Sequence, residues 1–331
     1  MAAWITYKDR AYCAEPGETV LDCLARNGVA IPHSCCAGVC QSCLMQATEG
    51  EVPPLAQKDL KPALRQQNFF LACQCAPEHD VTVALPDAAG LDVPATVLRA
   101  DMLNHNVMRL VLAPQKSFPC EPGQYLTLMT ESGIARSYSI ANDPNQAGHI
   151  ELHIRLLARG LMSGFLKDNA RTGLAVSVRG PAGHCFYVPE GAQDYPIFLA
   201  GTGTGLAPLL GIARRAIASG HRGEITLFHG ALHGGDLYMV ADLQGLAARH
   251  PNLRYRPCVL NGDGDDRYTV GNIEDVVLAA LPADKAAVRL FLCGAPEFVN
   301  SLRRKAFIKG LASRNILADA FLTAKPATAA A

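Results

Sequence analysis

Three closely spaced cysteines are the residues of this sequence best suited to chemistry. Cys35 and Cys40 are separated by four residues, and Cys43 follows after two more. A Cys-x4-Cys-x2-Cys run with a distant fourth cysteine is the plant-type ligand spacing of a [2Fe-2S] cluster. Ala37 and Gly38 are small, so the backbone can curl around inorganic sulfide and leave amide N–H groups free to point at sulfur. The run therefore predicts an iron–sulfur centre.

Two cysteines downstream compete for the fourth ligand position. Cys73 and Cys75 follow Cys43 with 29 and 31 residues between them. We assign Cys73, because the Leu-Ala-Cys end of its segment resembles the way in which ferredoxins present this ligand. The alternatives are a zinc site and buried unligated thiols, but zinc sites pair one Cys-x2-Cys with a second such pair or with histidines, which are absent at suitable spacing. Small core or loop positions are predicted for Cys13, Cys23 and Cys36.

Composition and charge exclude several classes of protein. The chain has 331 residues, of which 49% are hydrophobic and 18% charged, and its 30 basic residues balance 30 acidic ones. A net charge of zero provides no broad positive field for nucleic acid or an anionic membrane. The sequence shows no apolar run near the ~20 residues of a membrane helix and no basic-then-apolar leader. We therefore expect a cytoplasmic protein that binds neither nucleic acid nor membrane, in which clustered cysteines favour a metal site over disulfides.

The order of apolar runs divides the chain into three domains, although its length alone indicates about two. Residues 1–88 contain the cysteine cluster, and the stretch 86–95 has the prolines and glycine typical of a linker. Residues 93–190 contain short β-type runs separated by turn signals, which predict an antiparallel barrel or sandwich. Residues 194–325 alternate strand-like and helix-like segments, which predict a parallel sheet covered on both faces.

Three motifs of the middle domain occur in a fixed order. They are Arg-x-Tyr-Ser at 136–139, Gly-x-x-Ser at 160–163 and Gly-Pro-x-Gly at 180–183. The first motif alone is weak evidence, since it also fits an ordinary half-buried strand. Together the three resemble the flavin domain of the ferredoxin–NADP reductase superfamily.

This resemblance implies an FAD site. The planar Arg136 cation would pair with the diphosphate, Tyr138 would pack on the isoalloxazine ring, and Ser139 would place a hydroxyl near flavin N5 as a catalytic group. Ser163 would help to hold the diphosphate at the positive end of a helix. The other residues assigned to this site are Ser137, His153, Arg155, Gly160 and Met162. For His153 and Arg155, the alternative is that they are ordinary exposed residues of a strand.

The third domain opens with glycines at 201, 203 and 205, which follow a strand and begin a helix. Backbone amides of such a turn can approach a pyrophosphate. Leu206 departs from the Gly-x-Gly-x-x-Gly fingerprint, and the segment instead resembles the Gly-Thr-Gly with Ala-Pro of the same superfamily. The Cys-Gly-x-Pro segment 293–296 also resembles that family and would lie beside the nicotinamide. The residues assigned here are Gly201, Thr202, Gly203, Thr204, Gly205, Pro208, Cys293, Gly294 and Pro296, with Cys293 also catalytic and Phe321 near the flavin face.

From about residue 5 to 323, the chain resembles the reductase components of multicomponent oxygenases, such as those of benzoate and naphthalene dioxygenases. The resemblance implies an α+β ferredoxin-like (β-grasp) [2Fe-2S] domain at 1–88, an antiparallel β-barrel flavin domain at 93–190 and an α/β nicotinamide domain at 194–325. It implies electron transfer from NADH through FAD and the cluster to a terminal oxygenase or a separate ferredoxin. The alternatives are a reductase that serves a deoxysugar dehydrase and a redox-sensing iron–sulfur flavoprotein without turnover.

The sequence also predicts a preference for NADH over NADPH. NADP-dependent members of the superfamily hold the 2′-phosphate largely with a Ser-Arg pair after the third strand of the nucleotide domain. Asn261 and Gly262 stand at the corresponding point and bring no positive charge. Arg267 could supply a cation if the loop folds back, but three aspartates between 263 and 266 make this segment acidic.

We expect the purified protein to be red-brown and to contain one FAD and one [2Fe-2S] cluster per chain, hence two irons and two acid-labile sulfides. Both cofactors are required by the two groups of motifs described above. Flavin extraction with iron, zinc and sulfide analysis measures this content. A visible spectrum without flavin bands, or zinc bound in place of iron, would contradict the prediction.

Overall fold

The strands of the chain form three sheets that follow one another in sequence. The computed structural model describes residues 2–86, 91–189, 194–262 and 265–322. Within these ranges, no helix combines the length and apolar character needed to cross a bilayer. Residues 87–90 of the predicted linker and the predicted domain ends at 88, 190 and 325 lie outside the described residues, so the domain limits stay predictions.

The first sheet contains both parallel and antiparallel strand pairs and belongs to a small α+β domain. Its order is β2-β1-β5-β3-β4, in which β1 and β5 are parallel and the other pairs antiparallel. Thr19 is the N-cap of helix α1, and its side chain accepts a hydrogen bond from the Asp22 amide. Helix α1 packs its apolar face on the sheet. The elements are β1 (Trp4–Tyr7), β2 (Arg10–Cys13), α1 (Val20–Arg26), β3 (Leu44–Glu49), α2 (Pro62–Gln66), β4 (Phe69–Leu71) and β5 (Val81–Ala84).

The second sheet is antiparallel throughout and closes on itself. Its order is β10-β7-β6-β11-β8-β9, and a bridge between Ile140 and Leu152 joins its two edges. Because alternate strand residues share a face, Leu126 and Leu128 of β8 point into the barrel core. The elements are β6 (Asp92–Met102), β7 (Val107–Pro114), β8 (Tyr125–Met129), β9 (Ala135–Ser139), α3 (Pro144–Ala147), β10 (Ile150–Arg155), α4 (Leu161–Asn169) and β11 (Ala175–Ala182).

The third sheet is parallel, in the order β15-β14-β13-β12-β16-β17. Its two faces contribute to separate hydrophobic clusters, with Leu199 in one and Phe198 in the other, as expected of a sheet covered on both sides. The elements are β12 (Ile197–Thr202), α5 (Leu206–Ala218), β13 (Ile225–Ala231), α6 (Val240–Arg249), β14 (Leu253–Val259), β15 (Thr269–Val270), α7 (Ile273–Ala280), β16 (Arg289–Gly294), α8 (Pro296–Ile308) and β17 (Ile316–Ala320). The predicted three-part fold class is confirmed.

One helix begins later than its sequence pattern predicts. The helix-like stretch starts at Asp236, but α6 starts at Val240 because Met239 adopts a left-handed backbone with φ 56°. Tyr238 is buried just before this break, and its hydroxyl reaches His153 of the barrel at 3.1 Å. The contact between the second and third domains therefore replaces the first turn of the predicted helix.

Candidate functional site

Four cysteines lie together in two pairs, three of them in the loop between α1 and β3 and the fourth in the turn after β4. The amides of Cys35 and Cys40 each donate to the other residue's sulfur, both at 3.4 Å. Cys43 ends the loop, and its thiol interacts with that of Cys73 in the turn after β4, so that each shifts the pKa of the other. All four are buried. Two thiols for each of two metal ions is the donor set that a [2Fe-2S] cluster needs.

Hydrogen bonds to sulfur favour the thiolate of one cysteine in each pair. The Cys40 thiol, helped by backbone amides such as that of Ala37, lowers the pKa of Cys35 to about 5. The Cys43 thiol, helped by Gln74 and the Gly38 amide, lowers the pKa of Cys73 to about 7. Thiolates are the form that binds metal, and the donors predicted in this loop do point at sulfur.

Close packing fixes the shape of the loop at one position. Gly38 has φ +75°, and a Cβ there would lie 2.9 Å from the Gln74 side chain. A side chain would therefore displace a group that bonds to the fourth cysteine. The residues present fit the cluster that their spacing predicts.

Cys75 lies apart from the four. Its side chain is fully buried in the core of the first domain, and burial raises its pKa to about 12. Its carbonyl accepts the Val20 amide at 2.7 Å, so the backbone there is engaged with α1. Of the other predicted structural cysteines, Cys23 is buried in the core and Cys13 is exposed. In the described ranges, no three metal-binding side chains surround a single point, and the cysteines associate two by two instead.

The cysteine loop packs against strands β8 and β9 of the barrel. The Cys40 carbonyl accepts from the Ser137 hydroxyl at 3.2 Å and from the Thr127 hydroxyl at 3.3 Å. The Tyr125 hydroxyl donates to the Val39 carbonyl at 2.8 Å. Neither Tyr125 nor Thr127 belongs to the predicted site, because nothing in local spacing indicates which strands face the loop.

Arg136 and Tyr138 lie on either side of Ser137 in β9. One Arg136 nitrogen donates to the carbonyls of His33 at 3.0 Å and Ala135 at 2.7 Å. Tyr138 packs against the barrel core, and burial raises the pKa of its phenol well above the usual range. The guanidinium is half-buried and makes its hydrogen bonds to carbonyl oxygens, which leaves its charge available to an anion.

The start of α4 fits a diphosphate. Gly160 is its N-cap and provides no side-chain cap, so the first-turn amides retain unused donors. The Ser163 hydroxyl accepts the Leu157 amide at 2.9 Å, and a Cβ at Gly160 would lie 2.9 Å from that hydroxyl. Met162 is buried in the barrel core, so only its backbone can face a ligand.

The two remaining predicted residues of the FAD strand differ in environment. Arg155 is exposed at the end of β10, whereas His153 is buried. The His153 ring bonds to Glu151 at 2.8 Å and to the Tyr238 hydroxyl at 3.1 Å. Burial lowers the pKa of His153 against the opposing effect of Glu151. The His153 side chain thus joins the second domain to the third, and the alternative of an exposed position holds only for Arg155.

At the carboxyl edge of the third sheet, the glycine-rich turn lies directly on the Cys-Gly segment. A Cβ at Gly205 would lie 2.1 Å from the Cys293 carbonyl oxygen, and one at Gly294, with φ +132°, would lie 2.6 Å from the Thr202 hydroxyl. Helix α5 begins there without a side-chain cap. A 3-10 turn over Gly203–Gly205, which also lacks a side-chain cap, leads directly into the helix. This uncapped start and the close backbone approach fit a pyrophosphate.

A carboxyl group outside the predicted site lies between β9 and Cys293. Asp319 is the register partner of Cys293 across β16 and β17, and the Ser139 hydroxyl donates to it at 3.5 Å. Burial raises the pKa of Asp319 to about 6. Nearby, the Phe321 amide donates to the Gly294 carbonyl at 2.8 Å. A single acidic residue in the apolar run Ile-Leu-Ala-Asp-Ala is the sequence signal that could have identified it.

Comparison with protein families gives three consecutive matches. The 2Fe-2S iron-sulfur cluster binding domain matches residues 5–78, the oxidoreductase FAD-binding domain residues 94–187 and the oxidoreductase NAD-binding domain residues 199–304. These matches confirm the prediction of all three cofactors, a [2Fe-2S] cluster, FAD and a nicotinamide nucleotide.

Whole proteins of the same organisation are also similar. The reductase subunit of an aromatic O-demethylase from Amycolatopsis sp. is 35% identical over 299 residues, 87% of this chain and 89% of that protein. The ferredoxin–NAD(P)+ reductase component of a naphthalene 1,2-dioxygenase system from Pseudomonas putida is 32% identical over 311 residues, 92% of this chain and 94% of that protein. The crystal structure of an Amycolatopsis cytochrome P450 reductase covers 96% of this chain and 98% of its own, with 31% identity and a TM-score of 0.69.

We expect the change Cys73→Ser to abolish the assembled cluster and Cys75→Ser to leave it largely intact, because only Cys73 is paired with a loop cysteine. Iron content and the electron paramagnetic resonance signal of the reduced protein measure this difference. Flavin reduction by NADH should survive in both variants, since the predicted flavin and nucleotide residues lie in the other two domains. Iron lost from the Cys75 variant but kept by the Cys73 variant would show that the assignment is wrong.

Proposed function

We propose that this chain, which belongs to the family of iron–sulfur flavoprotein reductase components of oxygenase systems, delivers electrons to a terminal oxygenase or to a separate ferredoxin. Membership makes it a nicotinamide-dependent oxidoreductase with FAD and a [2Fe-2S] cluster. The acceptor and the residue assignments are the proposal. We also place it in the cytoplasm, because cysteines clustered at metal-ligand spacing are typical of a reducing compartment.

One strand supports this function best. Within β9, Ser137 contacts the carbonyl of Cys40, and Ser139 contacts Asp319 beside Cys293. Two strand residues span only about 7 Å, so the cysteine loop and the nicotinamide segment approach the same short piece of backbone. Electrons that enter beside Ser139 have a short path to the cysteine loop.

The residues of the chain can be given specific tasks. We assign Cys35 and Cys40 to one iron and Cys43 and Cys73 to the other. Arg136 and the first-turn amides of α4 would hold the FAD diphosphate, with Tyr138 beside the ring. When bound, FAD supplies the chemistry that converts a hydride into single electrons. The Ser139 hydroxyl, whose proton is directed at Asp319, and the buried Cys293 would line the site at which nicotinamide and flavin meet.

The preference for NADH over NADPH depends on Arg267, whose guanidinium already pairs with a carboxylate. The Arg267 Nε donates to both oxygens of Asp265, at 2.9 and 2.7 Å, and Arg267 lowers the pKa of that carboxyl. Both residues line a cavity beside β13 and β14, together with Gly234 and Tyr268. Asn261 is exposed and uncharged at the point where a phosphate-binding pair would stand. We propose that the Asp265 carboxylate keeps Arg267 from serving a 2′-phosphate; Asp263 and Gly264 lie outside the described residues.

We expect wild-type protein to prefer NADH over NADPH, and Asp265→Ala to raise kcat/KM for NADPH about tenfold, because it removes the carboxylate that competes with a 2′-phosphate for Arg267. Asp266→Ala is the matched control, since it removes an exposed neighbouring charge. Steady-state kinetics with ferricyanide measure both. An equal rise in the two variants would contradict the proposed pairing. We prefer Asp265→Ala to Gly262→Arg, because a Cβ at Gly262 would lie 2.3 Å from Val270.

The electron-transfer function is tested with two acceptors. We expect steady NADH-driven reduction of both ferricyanide and cytochrome c by the holoenzyme. The Cys73→Ser variant should keep the ferricyanide activity and lose most of the cytochrome c activity, because delivery of single electrons to a protein acceptor needs the cluster. Absence of turnover with either acceptor would favour the sensing alternative. Reduction of a purified oxygenase without added ferredoxin would identify direct delivery.

A further inference from the structure

The peptide unit of Cys40 is bonded on two sides. Its amide donates to the Cys35 sulfur at 3.4 Å, inside the cysteine loop. Its carbonyl accepts from the hydroxyls of Thr127 and Ser137, outside the loop. A residue assigned as a cluster ligand is therefore joined through its own backbone to the barrel strands, and any movement of the loop away from β9 breaks these bonds.

The hydroxyl groups occupy one face of two paired strands. Thr127 and Ser137 are register partners across β8 and β9, and their oxygens are 3.2 Å apart. Tyr125 lies two residues before Thr127 and therefore on the same face. Each hydroxyl has one proton, so the two protons of Thr127 and Ser137 can satisfy only two of their three contacts at once. The Cys40 carbonyl accepts at least one of these two protons in every possible arrangement.

The third hydroxyl is placed by a glycine of the Gly-Pro-x-Gly turn. A Cβ at Gly183 would lie 2.9 Å from the ring of Tyr125, so the absence of a side chain there lets the ring lie against the turn. The phenol then donates to the Val39 carbonyl at 2.8 Å. Burial raises the pKa of Tyr125 well above the usual range, so its hydroxyl is protonated and can donate near neutral pH.

We propose that Tyr125, Thr127 and Ser137 form a hydroxyl clamp that positions the cluster loop against the flavin strand and so sets the rate of electron transfer between the two cofactors. The clamp residues are positioning residues, since they act through the carbonyls of Val39 and Cys40. The part of this inference that concerns electron transfer rests on the proposed function. The hydrogen bonds that position the loop do not depend on that function.

The test compares holoenzyme variants that lack the clamp hydroxyls. Thr127→Val and Ser137→Ala each remove one donor, and the double variant removes both from the Cys40 carbonyl. Tyr125→Phe tests the Val39 contact alone. Thr172→Val is the matched control, because it removes a threonine hydroxyl bonded to the Leu98 carbonyl at 3.0 Å in the same barrel. Thr127→Ser should restore the wild-type behaviour.

Rapid mixing with NADH separates the two transfers. Flavin reduction should be unchanged in Thr127→Val and Tyr125→Phe. Because Ser137 is also assigned to the FAD site, cluster bleaching in Ser137→Ala and in the double variant is compared with the same variant's own rate of flavin reduction. Bleaching should slow a few-fold in each single variant, because the remaining hydroxyls still hold the loop, and more than about tenfold in the double variant. Thr172→Val should match the wild type in both phases. Wild-type speed of cluster reduction in the double variant would overturn the proposal.

A second readout does not depend on turnover. Amide hydrogen exchange across residues 35–43 and the rate of iron loss to a chelator should both rise about tenfold in the double variant, and neither should change in Thr172→Val. Unchanged exchange and iron loss would also overturn the clamp. A wild-type protein whose cluster is not reduced by NADH would instead refute the proposed function, while a rise in exchange in the double variant would still support the clamp.

Discussion

The alternation of side chains along β9 is the constraint on which the site depends. Because a strand directs successive residues to opposite faces, Arg136 and Tyr138 lie on one face, while Ser137 and Ser139 lie on the other. The first pair is proposed to hold FAD, and Arg136 also donates to the loop carbonyl of His33. The second pair contacts the Cys40 carbonyl and Asp319, and Ser139 would lie where nicotinamide and flavin meet. A shift of one residue in the pairing of β8 with β9 would exchange the two sets, and the Leu126 and Leu128 side chains buried in the barrel oppose that shift.

The contact between the second and third domains is polar and largely buried. Arg215 pairs with Asp143 at 3.2 Å, and Asn104 donates to the Asp236 carbonyl at 3.0 Å. His153 lies between Glu151 and Tyr238 of opposite domains. These bonds favour one relative placement of the two domains, because another placement would leave His153, Asp143 and the Asp236 carbonyl without these partners. This placement brings Asp319 and Cys293 to the end of β9.

Local spacing predicts the three loop cysteines and the glycine-rich turn as candidate binding sites, but it does not predict the contacts between domains. The Cys-x4-Cys-x2-Cys run and the glycine-rich turn each encode a shape within a few residues, and both occur where the sequence placed them. The choice of Cys73 over Cys75 came from a resemblance to ferredoxins, and the pairing of Cys73 with Cys43 that supports it is a long-range contact. Thr127 and Asp319 carry no motif, and their positions follow only from which strands meet. The sequence assigns His153 to the FAD site from its position in the flavin strand, whereas its side chain forms the contact between the second and third domains.

The chemistry of the clamp separates internal docking from binding of an acceptor. Serine, threonine and a tyrosine with a raised pKa carry no charge, so their bonds to the loop carbonyls depend little on salt or pH. Encounters between separate electron-transfer proteins are commonly steered by charge and weaken as salt rises. A domain that must stay beside its own flavin strand gains from neutral contacts, because its position does not compete with charges that attract the external partner. The covalent chain also holds the loop near the strand at high effective concentration, so a few hydroxyl groups are enough to select one position.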